Sequence, residues 1–139
     1  RLYYSDNGTE SQAFNVKDGL GLIRILDAGI DVAIISARDS LAVKKRAQEL
    51  GIKKVKQGVK KKSKVLRNLC SELDLSHSEC AFMGDDLPDL EPMKLAGVRL
   101  TVPDAAPEIR EIADWISQSA GGKGAVREAC DMILQSINS

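Results

Sequence analysis

A chain of 139 residues is long enough for one domain with its own core, and 43% hydrophobic with 29% charged residues is the balance of a soluble globular fold. Lys+Arg and Asp+Glu both number 20, so net charge gives no reason to expect nucleic acid or an anionic membrane as partner. Cys70, Cys80 and Cys130 are odd in number and lack the close spacing of a zinc knuckle or redox pair, which reads as reduced thiols in a cytoplasmic protein. No apolar run is long enough to span a bilayer, and no signal peptide opens the chain.

Taken in order, the first elements read as a hairpin over residues 2–16. Leu2-Tyr3-Tyr4 and Ala13-Phe14-Asn15-Val16 are β-prone, and Asp6-Asn7-Gly8 between them holds the Asn-Gly pair of a tight turn. Asp18 is placed to cap a helix over 19–28 that Gly29 closes. Val32-Ala33-Ile34-Ile35-Ser36 is continuous and β-branched, as a parallel strand buried on both faces should be. Ser40 opens a helix to Leu50, stopped at Gly51, and 54–57 is a short strand. Ser63 opens a helix to about Leu73, and 80–83 is a second buried strand. A helix follows over 87–96, then a strand over 98–102 and a short helix over 107–112. Trp115-Ile116 makes a last strand, and 125–137 a last helix. Strands alternating with amphipathic helices, with no linker or repeat, predict one α/β domain over 1–139 with a parallel sheet.

Ligands of open α/β sheets lie at the carboxyl ends of strands, and two such ends carry polar residues. Ile35-Ser36-Ala37-Arg38 offers a hydroxyl, free N–H groups and a guanidinium, suited to phosphate or carboxylate, though the same residues serve as a plain loop opening a helix. Met83-Gly84-Asp85-Asp86-Leu87-Pro88-Asp89 gathers carboxylates that suit a hard cation. The alternative is a helix N-terminus stabilised by acids; mutual repulsion of the carboxylates favours the metal. In Lys60-Lys61-Lys62-Ser63-Lys64 most of the charge reads as a solvated face, but Lys64 in a first helical turn opposes the macrodipole, which hints at a role. His77 reads as a surface turn residue, and Cys80 and Met83 as core. Gly121-Gly122-Lys123-Gly124 before Ala125-Val126-Arg127-Glu128 is either an anion-binding turn or a mobile loop.

In this order the segments resemble the cap-less phosphatases of the haloacid dehalogenase (HAD) superfamily, whose fold is a Rossmannoid three-layer α/β sandwich. The matching segments run from Leu2-Tyr3-Tyr4 through Ala13–19, Ser36-Ala37-Arg38, Gln57-Gly58, Lys64 and Gly84–Asp89 to Gly121–Glu128, and so span the chain. The resemblance implies a Mg²⁺-dependent phosphatase acting through an aspartyl-phosphate on a small phosphorylated sugar acid. The branch it points to hydrolyses 3-deoxy-D-manno-octulosonate 8-phosphate in lipopolysaccharide precursor synthesis. It assigns phosphate binding to Ser36 and Ala37, charge neutralisation to Lys64, the metal to Asp85 with Asp89 holding its waters, the sugar-acid end to Arg38, and closure of the pocket to Arg127. Asp86 is a lesser candidate. It also implies a homotetramer in which hairpin 2–16 lids the neighbouring subunit's site.

The family's Asp-x-Asp-Gly motif, which carries the nucleophile on the first central strand, is not among the 139 residues. The reading therefore expects that central strand to be missing, with Asp6 in a hairpin turn and unable to replace the nucleophile. It expects the gap to be filled by a neighbouring molecule or closed by direct pairing of 32–36 with 80–83, and the chain alone to be inactive. Two alternatives remain: a non-catalytic HAD-like oligomerisation module, and a nonulosonate 9-phosphate phosphatase.

Overall fold

The computed structural model describes residues 2–6, 16–121 and 123–138. It holds a six-stranded sheet in the order β3-β2-β1-β4-β5-β6, parallel at every pairing. The strands are β1 (Leu2–Asp6), β2 (Val32–Ser36), β3 (Lys54–Lys56), β4 (Ala81–Met83), β5 (Val98–Thr101) and β6 (Trp115–Ile116). The helices are α1 (Val16–Asp27), α2 (Leu41–Leu50), α3 (Lys62–Glu72), α4 (Leu90–Leu95), α5 (Pro107–Ile112) and α6 (Ala125–Asn138). One-turn 3-10 helices at His77–Glu79 and Leu87–Asp89 precede β4 and α4. Helix α1 packs on α2 and α6, and α4 packs on α3 and α5. Helices thus cover the sheet on both faces, as right-handed crossovers running in opposite directions from β1 require.

Burial explains why these segments fold as they do. All five residues of β2 are buried, so a β-branched run with no polar alternation is what the slot demands. Leu22 and Ile25 of α1, Leu66 and Leu69 of α3, Met93 of α4 and Ile109 of α5 close over Ile34, Ile35, Phe82 and Leu100. Helix α2 starts where Ser40 Oγ accepts from Val43 N at 3.3 Å and stops at Gly51, whose φ of 82° lets its N–H reach back to the last carbonyls.

The beginning of the chain departs from expectation. Leu2–Asp6 is not one arm of a lid hairpin but the central strand, in parallel register with Val32–Ser36 on one side and Ala81–Met83 on the other. The gap expected between β2 and β4 is therefore filled from within, and those two strands do not pair with each other. The physical reason is the cost of two buried strand edges with unmatched N–H and C=O groups; Leu2-Tyr3-Tyr4 is a β-prone run that satisfies both. The turn at Asn7-Gly8 and the return arm over 13–15 lie outside the described residues, while Val16 already belongs to α1. Two helix starts also shift. Helix α1 begins before Asp18, and α3 begins at Lys62 with Lys61 in the cap position, so Ser63 lies inside the helix. Among the described residues no helix is long and apolar enough to cross a membrane.

Candidate active site

The carboxyl ends of β2, β1 and β4 lie side by side, and the register sets Asp6, the last residue of β1, opposite Ser36. Ser36 is buried, and its Oγ accepts from Arg38 N at 3.1 Å. The loop it opens is clamped from β3's exit. Val59 N donates to Ser36 O at 3.0 Å and Gly58 N to Arg38 O at 3.2 Å. Gln57 closes the clamp: its Oε1 accepts from Ser40 N at 2.7 Å and its Nε2 donates to Ser40 O at 3.2 Å. Ala37 and Arg38 are exposed at the top of this clamp. The clamp is not legible in the sequence, because Gln57's partner Ser40 is 17 positions away.

On the other side, the loop after β4 is fixed at every residue. Gly84 N donates to Leu100 O at 3.1 Å, and Thr101 Oγ1, fully buried, donates to Gly84 O at 2.6 Å. Asp85 O accepts from Ala106 N at 2.9 Å. Asp89 Oδ2 accepts from Asp85 N at 2.9 Å and from Asp86 N at 3.3 Å. Any Cβ at Gly84 would collide with the Asp89 carboxylate, so glycine is what lets that carboxylate lie under the loop. Asp86 is exposed and caps the one-turn helix, its Oδ1 accepting from Leu87 N at 2.8 Å. Asp85 is left as the carboxylate at the head of the loop, with a buried Oδ1.

The structure places the two lysines of this segment differently. Lys64 is exposed, whereas Lys62 is 3% exposed and its Nζ lies 2.9 Å from Asp89 Oδ1. Lys62 shares the buried face of α3 with Leu66, Leu69 and Cys70. That spacing is one helical stripe, and a residue two positions on faces the other way. Asp89 is the partner of that lysine. It is fully buried, with Oδ1 on Lys62 and Oδ2 on two backbone N–H groups, so its contacts link the lysine to the Asp85 loop.

Arg127 is not brought to this cluster by its described contacts. Its Nε donates to Asp131 at 3.0 Å, and its backbone N donates to Asp18 Oδ1 at 3.1 Å. Asp18 thus caps the start of α6 across the helix pair. Glu128 fastens the preceding turn, accepting from Gln118 N at 2.8 Å and Ser119 N at 2.7 Å. Burial tends to raise the Glu128 pKa, but hydrogen bonds from the Ser119 side chain and from both backbone N–H groups outweigh it and hold the carboxyl below its usual value.

Among the described residues no three His, Cys, Asp or Glu side chains gather closely enough to hold a metal by themselves. Asp85 nonetheless fits Mg²⁺, a hard cation commonly held by one or two carboxylates with substrate phosphate and water as its other oxygen ligands.

The chain's residues 55–129 match the family model of haloacid dehalogenase-like hydrolases. The chain is 40% identical over 133 residues to 3-deoxy-D-manno-octulosonate 8-phosphate phosphatase of Escherichia coli strain K12, covering 96% of this chain and 71% of that protein. The corresponding protein of Haemophilus influenzae is 37% identical over 135 residues, with coverages of 97% and 75%. Among solved structures, the Moraxella catarrhalis phosphatase in complex with magnesium ion, phosphate ion and KDO matches with a TM-score of 0.91 and 38% identity, covering 97% of this chain and 85% of that one. The cobalt-bound Haemophilus influenzae enzyme matches with a TM-score of 0.92 and 33% identity, covering 99% and 88%.

Proposed function

Because the chain belongs to the haloacid dehalogenase-like hydrolases, we propose that its site is that of a Mg²⁺-dependent phosphatase for 3-deoxy-D-manno-octulosonate 8-phosphate. The observation that carries the reading is the buried Lys62–Asp89 pair at 2.9 Å beneath the Gly84-Asp85 loop. A buried ion pair is costly unless its geometry and remaining hydrogen bonds are satisfied. Here it holds a cation and a carboxylate loop at the carboxyl end of the central strands, where a phosphoryl group would sit.

In this reading Ser36 Oγ and the exposed N–H of Ala37 bind the phosphoryl oxygens. Lys62 lowers the cost of charge on the transferring group, and Asp89 keeps Lys62 and the Asp85 loop in register. Asp85 is the residue that would hold Mg²⁺, which supplies further positive charge to the phosphoryl oxygens when bound. Exposed Arg38 is the group for the substrate's carboxylate. Assembly into a homotetramer belongs to the same reading.

Nucleophilic attack on phosphorus requires a carboxylate in line with the leaving oxygen. The 139 residues contain no Asp-x-Asp-Gly, and on this ground the chain alone binds phosphate without turning over. A second reading is favoured by one observation: Asp6 ends the central strand in register with Ser36, which is where the family's nucleophile stands. Both are tested by measuring phosphate release from 3-deoxy-D-manno-octulosonate 8-phosphate with Mg²⁺ or EDTA. No release, restored by supplying an upstream Asp-x-Asp-Gly strand, supports the first reading. Release lost in both Asp6→Asn and Asp85→Asn supports the second. Release that survives EDTA and Asp85→Asn contradicts the proposed site.

A further inference from the structure

We propose that Cys70 and Cys80 are a redox-sensitive pair, a modification site at which a small disulfide oxidant closes an internal bridge between α3 and the entry to β4. Their Sγ atoms are 3.3 Å apart. A disulfide needs about 2.05 Å, so the two sulfurs must approach by roughly 1.3 Å. Cys70 projects from the buried face of α3, and Cys80 follows the one-turn helix at His77–Glu79. Leu75 N donates to Cys70 O at 2.8 Å, which folds the intervening chain back and brings the sulfurs together. The spacing of 10 residues conceals the pair in the sequence, since it matches no redox motif.

Burial is the objection, because both thiols are only 1% exposed. Cys80, however, lines an apolar cavity of about 310 Å³ with Ser78, Ala81, Val98 and Ile137. Val98 and Ile137 are 41% and 55% exposed, so the cavity opens to solvent beside Cys80. It lies at the amino ends of β4 and β5, away from Ser36 and Asp85. The third cysteine, Cys130, is an internal control. Burial, with the charges of Asp131 and Asp18, pushes its thiol up to about 12, and the thiolate is the reactive form.

The chemistry balances as two thiol–disulfide exchanges. Cys80 loses its proton and attacks one sulfur of the oxidant, whose S–S bond breaks and releases one thiol. Cys70 then loses its proton and attacks Cys80 Sγ, forming the internal disulfide and releasing the second thiol. The cysteine pair gives up two electrons, and the oxidant is reduced to two thiols. The bridge ties α3, which carries Lys62, to β4, which leads to Asp85.

The test treats the folded full chain with hydroxyethyl disulfide, then alkylates it in denaturant and maps the peptides. The expected product carries a Cys70–Cys80 disulfide with Cys130 alkylated. Its melting midpoint is about 5–10 °C higher and returns to the original value on adding dithiothreitol. Cys70→Ser is expected to retain the oxidant as a mixed disulfide on Cys80. Three alkylated cysteines, a bridge that includes Cys130, or a mixed disulfide on Cys70 with Cys80 free would overturn the proposal. The mapping on the unaltered chain stands whether or not the variant folds.

Discussion

Lys62 and Lys64 differ by two positions and by everything that matters at this site. Lys62 Nζ is sealed against Asp89, while Lys64 faces solvent. Lys62→Ala leaves the Asp89 carboxylate without its buried cation, and removing one partner of such a pair costs about 3–5 kcal/mol. Urea unfolding should show that loss, whereas Lys64→Ala should stay within about 0.5 kcal/mol of the parent. Equal effects of the two substitutions would contradict the geometry. Glu128 gives a pH signature. Despite burial, its hydrogen bonds to Ser119 and Gln118 hold its pKa below the usual carboxylate value in the folded chain, so the ionised form stabilises the fold above that usual value. The contribution is lost as pH falls through the lower, folded pKa. Glu128→Gln should therefore lie below the parent in stability near neutrality and converge with it in acid, as thermal melts across that range would reveal. In the sequence Lys64 draws notice because its charge falls in a first helical turn. The apolar stripe through Leu66, Leu69 and Cys70 carries the better information, since it extends back to Lys62.

At the scale of elements, most of the architecture was legible. Glycines at 29 and 51 mark helix ends with φ of 84° and 82°, and the apolar runs at β2 and β4 are strands because only a doubly covered sheet accepts them. What local signals cannot state is which strands pair. Leu2-Tyr3-Tyr4 looks like strand in either a hairpin or a sheet, and the Asn-Gly pair argues for the hairpin because it reports on the next few residues alone. The loop after β4 shows the same limit: its acids were evident, but the residue that holds the loop, Thr101, lies 17 positions on. Thr101→Val keeps the shape and removes the donor, leaving the Gly84 carbonyl buried and unmatched at a cost of about 1–3 kcal/mol. If Asp85 is positioned through this loop, Thr101→Val should weaken Mg²⁺ binding in calorimetric titration, and Thr101→Ser should restore it. Unchanged affinity in Thr101→Val would show that Asp85 needs no such support.

For the whole molecule, one short strand decides whether the sheet is continuous. Deleting Leu2–Asp6 uncovers the facing edges of β2 and β4, both lined with buried side chains. Exposed apolar edges recruit strands from other chains. The shortened chain is expected to elute as oligomers or to precipitate, and a monomeric, cooperatively melting product would show that the two halves close up without β1. The outer edge of the sheet is protected differently. Strand β3 presents Lys54 and Lys56 around Val55, and like charges of that kind deter edge-to-edge association.

The central position of β1 also sets an order of events during synthesis. Leu2–Asp6 leaves the ribosome before either strand it joins, and Leu2 cannot meet Ala81 until that residue has emerged. At translation speeds of about 5–20 residues per second, the wait is roughly 4–16 s. Through that interval the segment is a short β-prone strand without its second neighbour, and helices α1 to α3 are complete before the sheet can be. The site between β2, β1 and β4 thus waits on the strand that arrives last of the three, and β5, β6 and α6 are added to the molecule only after it.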